Sequence, residues 1–234
     1  MTPGSHHMIV FGGSAGQPAD GTIDDCNGSG QQIPVWIYAS QTPDADLKLP
    51  ADDGKGKPLG MNIAAGMPGY IQMHYLNSTD GDLTVHVSVS AYAMAAGAMY
   101  TPTAAYITYN MSLNIPAGAT NMKFTQTCNI PAGLTWWTVS THSHKQSVHT
   151  DLMDGSNVVF ASDDWEHPGS MSWMTMPFYT FASNKFTYEC TYTNPNNYPI
   201  VDGQSATMNE MCMGTGYVFP QTNASFCIDS TGPF

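Results

Sequence analysis

The residues best suited to metal chemistry lie in the run Trp136-Trp137-Thr138-Val139-Ser140-Thr141-His142-Ser143-His144. Its first part is β-branched and aromatic, which predicts a strand. Successive side chains on a strand alternate, so His142 and His144 leave the same face. Two neutral imidazoles side by side make half a site for a borderline or soft transition metal. A lone His-x-His is a weak signal, because chance pairs are common on polar strands. Asn209-Glu210-Met211-Cys212-Met213 strengthens it, since the Met211 thioether could complete a two-histidine, one-methionine set. That set suits copper, and copper(I) in particular.

A second candidate is His6-His7-Met8-Ile9-Val10-Phe11-Gly12. Neighbouring residues on a strand point to opposite faces, so His6 and His7 share a metal only if one bends round or the strand is locally distorted. Taken alone, Gly4-Ser5-His6-His7-Met8 reads equally well as the scar of an expression tag. His74 lies in a predicted strand over residues 70–76, on one face with Gln72 and Leu76. By itself it reads more readily as a hydrogen-bonded histidine than as a ligand. His86 falls on the polar side of an alternating run, Asp82–Tyr92, where Leu83, Val85, Val87 and Val89 share the other face. His149 is expected to face solvent or to contact groups behind the site. His167, just before Pro168, is expected to serve a turn.

The elements that must position these residues are predicted to be strands. The 234 residues are enough for one large or two small domains with a true core. Gly (22) and Pro (16) are plentiful, no long stretch repeats at helical spacing, and short β-branched and aromatic runs alternate with turn residues. This pattern predicts an all-β sandwich architecture. Thr101-Pro102-Thr103 is the candidate junction between two sandwiches, and Asp52–Lys57 reads as a solvated loop without chemistry. Six Lys and Arg against a net charge of −12 build no basic patch, so nucleic acid is excluded as a partner. No apolar run reaches membrane-spanning length, so no membrane partner is expected. Five cysteines in so turn-rich a chain suggest disulfides and an oxidising compartment. Four sequons, at Asn27, Asn77, Asn110 and Asn223, are compatible with that reading. The start of the chain carries no signal peptide, so it reads as a mature or amino-truncated fragment, secreted to an extracellular or periplasmic space.

Four motifs in order carry a family resemblance: His6-His7-Met8-Ile9-Val10-Phe11-Gly12, Gln72-Met73-His74-Tyr75, His142-Ser143-His144 and Glu210-Met211-Cys212. Their order, and the nearly equal intervals between successive ligand groups, resemble the copper type II, ascorbate-dependent monooxygenases. That family includes peptidylglycine α-hydroxylating monooxygenase and dopamine β-monooxygenase. Glu166-His167-Pro168 and the segment from Glu189 to Asn194 are similar to further family segments, so the resemblance covers nearly the whole chain. A tag scar would not be expected to continue into Met-Ile-Val-Phe-Gly at the family's distance from Gln-x-His-Tyr, which favours the ligand reading of His6 and His7.

The resemblance implies two β-sandwich domains, residues 1–104 and 105–234, facing each other across a cleft. It implies two coppers per chain, one on His6, His7 and His74 that relays an electron, and one on His142, His144 and Met211 that binds dioxygen. Ascorbate is then the reductant, and a C–H bond of an organic substrate is hydroxylated. It also implies the disulfides Cys128–Cys227 and Cys190–Cys212, with Cys26 left over, and the family strands that precede the first histidines are absent here. One departure bears on substrate. In the peptidylglycine enzymes an Arg two residues before His-x-His grips a substrate carboxylate, and Asn and Tyr follow Glu-Met-Cys; Ser140, Met213 and Thr215 stand at those positions here. Serine cannot supply the bidentate, charge-assisted pairing of arginine. Together with Tyr217 these residues describe a less charged pocket, for a small-molecule or peptide-like substrate other than a glycine-extended peptide. The competing function is a copper-binding protein of the same fold without hydroxylase activity, which the short amino end and the 16 methionines favour.

Overall fold

The structure, a computed structural model, describes residues 1, 5–13, 19–23, 35–75, 77 and 80–228, and of Ser5 and His6 the backbone alone. The His6 side chain, Cys26 and Asn27 therefore lie outside the described residues. The described chain is all-β and forms no helix, hence none long and apolar enough to cross a membrane. In chain order the first strands are β1 (Ser5–Gly12), β2 (Val35–Ser40), β3 (Leu59–Gly60), β4 (Gly69–Tyr75), β5 (Thr101–Pro102), β6 (Ala104–Tyr109), β7 (Asn114–Ile115) and β8 (Met122–Asn129). They are followed by β9 (Thr135–Ser143), β10 (Ser147–Asp154), β11 (Asn157–Ser162), β12 (Met171–Ser172), β13 (Lys185–Tyr192), β14 (Ile200–Val201), β15 (Cys212–Phe219) and β16 (Ser225–Ile228). The chain divides into two compact units, Met1–Lys48 with Met61–Met99, and Leu49–Gly60 with Tyr100–Phe234.

The first unit is built on a three-stranded antiparallel sheet in the order β2-β1-β4. Phe11 of the central strand pairs in register with Trp36 on one side and Tyr70 on the other, with ring centroids 5.4 and 5.0 Å away. Such cross-strand aromatic pairs fix register where few other side chains are buried. The predicted strand Asp82–Tyr92 does not form. Leu83, Val85 and Val87 are half-buried while Thr84, His86 and Ser88 are exposed, so the alternation is real, but the segment joins no ladder among the described residues. Alternation makes a segment fit for a sheet; an edge in reach must still accept its amides.

The second unit is a sandwich of a four-stranded sheet, β11-β10-β13-β8, and a five-stranded sheet, β12-β9-β15-β6-β16. Neighbours run antiparallel except β6 and β16, which are parallel. Between the sheets Trp136 is fully buried, its ring 4.9 Å from Tyr106, 5.2 Å from Phe181 and 4.8 Å from Phe186. A Cβ added to Gly214 of β15 would stand 2.4 Å from Phe186 and 2.7 Å from Leu152, so that face of β15 lies directly on the opposite sheet. Two disulfides tie the layers together: Cys128 of β8 to Cys227 of β16, and Cys190 of β13 to Cys212 of β15. They are the pairings that the resemblance implies, and they fit an oxidising compartment.

Two local findings correct the sequence reading. Asp53, expected in a solvated loop, is buried. Its carboxylate accepts the Thr101 hydroxyl at 2.5 Å and the amides of Lys55 and Lys57 at 2.7 and 3.2 Å, binding the Leu49–Gly60 excursion to β5. A short acidic side chain folds back on nearby amides, and polarity alone does not reveal this. Asn110 is also buried, its Oδ1 taking the Ser112 amide at 2.9 Å, so this sequon is turned away from solvent.

Candidate metal centre

β9 carries His142 near its carboxyl end and stops one residue before His144, and β15 runs antiparallel beside it in a register that pairs Cys212 with Ser143, Met213 with His142 and Thr215 with Ser140. Alternation then sorts the side chains. Cys212 and Gly214 face the opposite sheet, while His142, Met213, Ser140 and Thr215 share the outer face. His144 and Met211 lie one residue beyond the last paired positions, in phase with that face. The register shifts between Tyr217 and Val218, which pair with Thr138 and Trp136, so Trp137 is an extra residue in β9. The bulge reverses the phase of the strand. It allows Trp136 to enter the core although its even-numbered successors His142 and His144 leave by the other face.

The two imidazoles stand with ring centroids 5.2 Å apart and planes at 89°. His142 is 8% exposed and His144 0%, and the Nε2 atom of each is shielded from solvent. The Nδ1 of His144 lies 3.2 Å from the carbonyl oxygen of Asn209. A carbonyl only accepts, so Nδ1 carries the proton of the neutral ring and the lone pair resides on Nε2. Met211 is buried at 6% exposure, and the Tyr192 hydroxyl donates to its carbonyl oxygen at 2.7 Å.

Sequence reasoning gave Glu210 no role, and it is the most buried acid of the site, at 0% exposure. Its Oε2 accepts the amide of His144 at 2.9 Å and its Oε1 that of Gln146 at 2.6 Å. Burial pushes the carboxyl up to about 8, against the opposing pull of the Gln146, His144 and Met211 amides. The sequence signal was its place immediately before the thioether.

The pocket candidates are on the same outer face. The Ser140 hydroxyl donates to the Gly169 carbonyl at 2.6 Å, and the Thr215 hydroxyl to the Ser140 carbonyl at 3.4 Å. Met213 and Thr215 are half-buried, and the Tyr217 ring packs at 5.3 Å on Trp137, whose indole N–H donates to Thr103. His149 bridges Asp163 at 2.5 Å and Asp151 at 3.1 Å, and the His167 amide closes a turn on Asp164.

In the first unit His7 and His74 are direct cross-strand partners on β1 and β4, with ring centroids 4.8 Å apart at 79°. His7 is buried and His74 half-buried, and burial holds His74 below the usual imidazole range. The pairing skips from Ser5 with Tyr75 to His7 with His74, so the backbone of His6 forms the extra residue of an irregularity in β1. Such an interruption suspends the alternation that would otherwise separate neighbouring histidines.

Among the described residues no three His, Cys, Asp or Glu side chains gather as a metal cage. Each cluster is a pair of imidazoles, and the third donors implied by the resemblance are a thioether, Met211, and His6, whose side chain is outside the described residues. Two imidazoles with shielded nitrogens beside a buried thioether fit a soft ion such as copper(I).

Residues 93–233, more than half of the chain, match the family described as copper type II ascorbate-dependent monooxygenase, C-terminal domain. No curated protein matches the chain.

Proposed function

The chain belongs to the copper type II, ascorbate-dependent monooxygenase family, and on that footing we propose that it hydroxylates a C–H bond of a small or peptide-like organic substrate. The observation that supports this reading is the perpendicular, shielded imidazole pair of His142 and His144, in phase with buried Met211 on one face of the matched region. In this reading His142, His144 and Met211 hold one copper, and His6, His7 and His74 hold a second on the other unit. Bound copper supplies the redox chemistry: two ascorbate electrons and two protons let one atom of dioxygen enter the alcohol while the other leaves as water.

The chain's own residues bind and orient. The strand fixes the spacing of the two imidazoles, and the inter-sheet disulfide at Cys212 anchors the residue next to the thioether. The substrate side is uncharged where the family's peptide enzymes carry a cation. Ser140 offers a hydroxyl already engaged with Gly169, and the chain contains no arginine at all. A substrate carboxylate therefore finds no guanidinium fork in this chain. Secretion to an oxidising space completes the proposal, in keeping with the two disulfides.

The test is copper per chain after reconstitution and exhaustive dialysis, followed by ascorbate-dependent oxygen uptake. About two coppers with uptake stimulated by an uncharged substrate is expected. Copper retained without uptake under any substrate would turn the assignment to a copper-binding protein of this fold. A glycine-extended peptide is expected not to stimulate uptake; strong stimulation would overturn the argument from Ser140.

A further inference from the structure

We propose that Asn209-Glu210-Met211 acts as one positioning device for the metal-facing atoms of His144 and Met211, with the Glu210 carboxyl group at its centre. The inference rests on the reading that these two residues hold copper.

β9 ends at Ser143 and β15 begins at Cys212, so His144 and Met211 both lie one residue past the ladder that orders their strands. Strand ends fray unless something replaces the missing rung. Here the replacement is the buried Glu210 carboxyl group. One oxygen takes the His144 amide at 2.9 Å, and the other takes the Gln146 amide at 2.6 Å, across the turn that follows the histidine. The residue on one side of Glu210 places its carbonyl 3.2 Å from His144 Nδ1 and so turns the lone pair onto Nε2. The residue on the other side is the thioether, whose own carbonyl is held by Tyr192 at 2.7 Å. The backbone of Glu210 is itself fixed, its amide donating to Val201 at 3.0 Å and its carbonyl accepting from Gly203 at 3.1 Å. A cap that only closed the Lys145–Gln146 turn would need the Gln146 bond alone. Three consecutive residues instead set the tautomer, the backbone position and the sulfur of one ligand group.

The experiment compares wild type, Met211→Ile and Glu210→Gln, each reconstituted with copper and reduced. Copper X-ray absorption reads the sulfur scatterer, and a competing chelator reads affinity. A glutamine amide keeps one acceptor oxygen and turns a donor toward the second N–H. Glu210→Gln, with both disulfides formed, should therefore lose the sulfur scatterer and bind that copper about 10- to 100-fold more weakly. A sulfur signal present in wild type, lost in Met211→Ile and kept in Glu210→Gln at unchanged affinity overturns this proposal alone. A signal absent from wild type, or unaltered by Met211→Ile, overturns the ligand reading and this inference with it. Ring nitrogen-15 shifts of the metal-free wild-type protein test the device without any substitution. His144 is expected as the Nδ1–H tautomer, and the Nε2–H tautomer would overturn the proposal.

Discussion

The two histidine pairs reach similar geometry by opposite routes. His142 lies on β9 and His144 one residue past its end, so two residues of backbone suffice to bring their rings to 5.2 Å. His7 and His74 come from strands far apart in sequence, and their 4.8 Å approach exists only because β1 and β4 pair in one particular register. The supports differ as well. The first pair belongs to a two-layer sandwich with an aromatic core, two inter-sheet disulfides and a buried carboxylate beneath the ligand turn. The second belongs to a three-stranded sheet whose register is pinned by the Phe11 aromatic contacts. A pair fixed by covalent spacing survives small shifts of its sheet, whereas one residue of slip separates a cross-strand pair entirely.

The largest effect is expected where both pairs are needed at once. Met211→Ile should abolish turnover while copper on the His7–His74 side remains, and full activity in that variant would end the assignment. A step smaller, His142→Ala and His74→Ala should each lower bound copper by about one per chain. Metal analysis showing both coppers lost from either variant would mean that the pairs are not independent.

Stability should separate the two regions further. Trp136→Ala opens a cavity among Tyr106, Phe181 and Phe186 and should cost about 3–5 kcal/mol in chemical denaturation of the second unit. A cost under ~1 kcal/mol would show that the sandwich core does not carry the fold as its packing indicates. The smallest effect lies at His149. Its hydrogen bond to Asp163, aided by Asp151, holds the imidazole above its usual range against partial burial, with Glu189 also nearby. A raised imidazole adds stability that is complete below pH ~6.5 and fades as pH rises through the folded value. His149→Gln should therefore lower Tm more at mildly acidic than at mildly alkaline pH. An equal loss at both would remove the ion-pair explanation.

Much of the site was legible from local spacing. The i, i+2 histidines and their strand needed only the two-residue period, while Met211, distant in the chain, entered through its donor type and the family resemblance. The all-β composition was equally open, being written in turn residues and β-branched runs. Asp82–Tyr92 marks the limit of that method, since its alternation survives as alternating burial and yet no ladder forms. Trp136 marks it again. Parity counted back from His142 places it outside the sandwich, and the extra residue Trp137 puts it inside.

The sequence by itself determined which side chains can offer a nitrogen or sulfur to a metal, the strand that leads into His142 and His144, and the absence of any arginine in the chain to grip a carboxylate. These follow from covalent geometry and residue chemistry, which do not depend on distant contacts. Tertiary structure alone decided that His74 faces His7, that Glu210 lies buried beneath the His144 turn, and that the Asn209 carbonyl selects the His144 tautomer. Each depends on strand register and on which amides a buried polar group can reach, and those are settled only when the sheets pack.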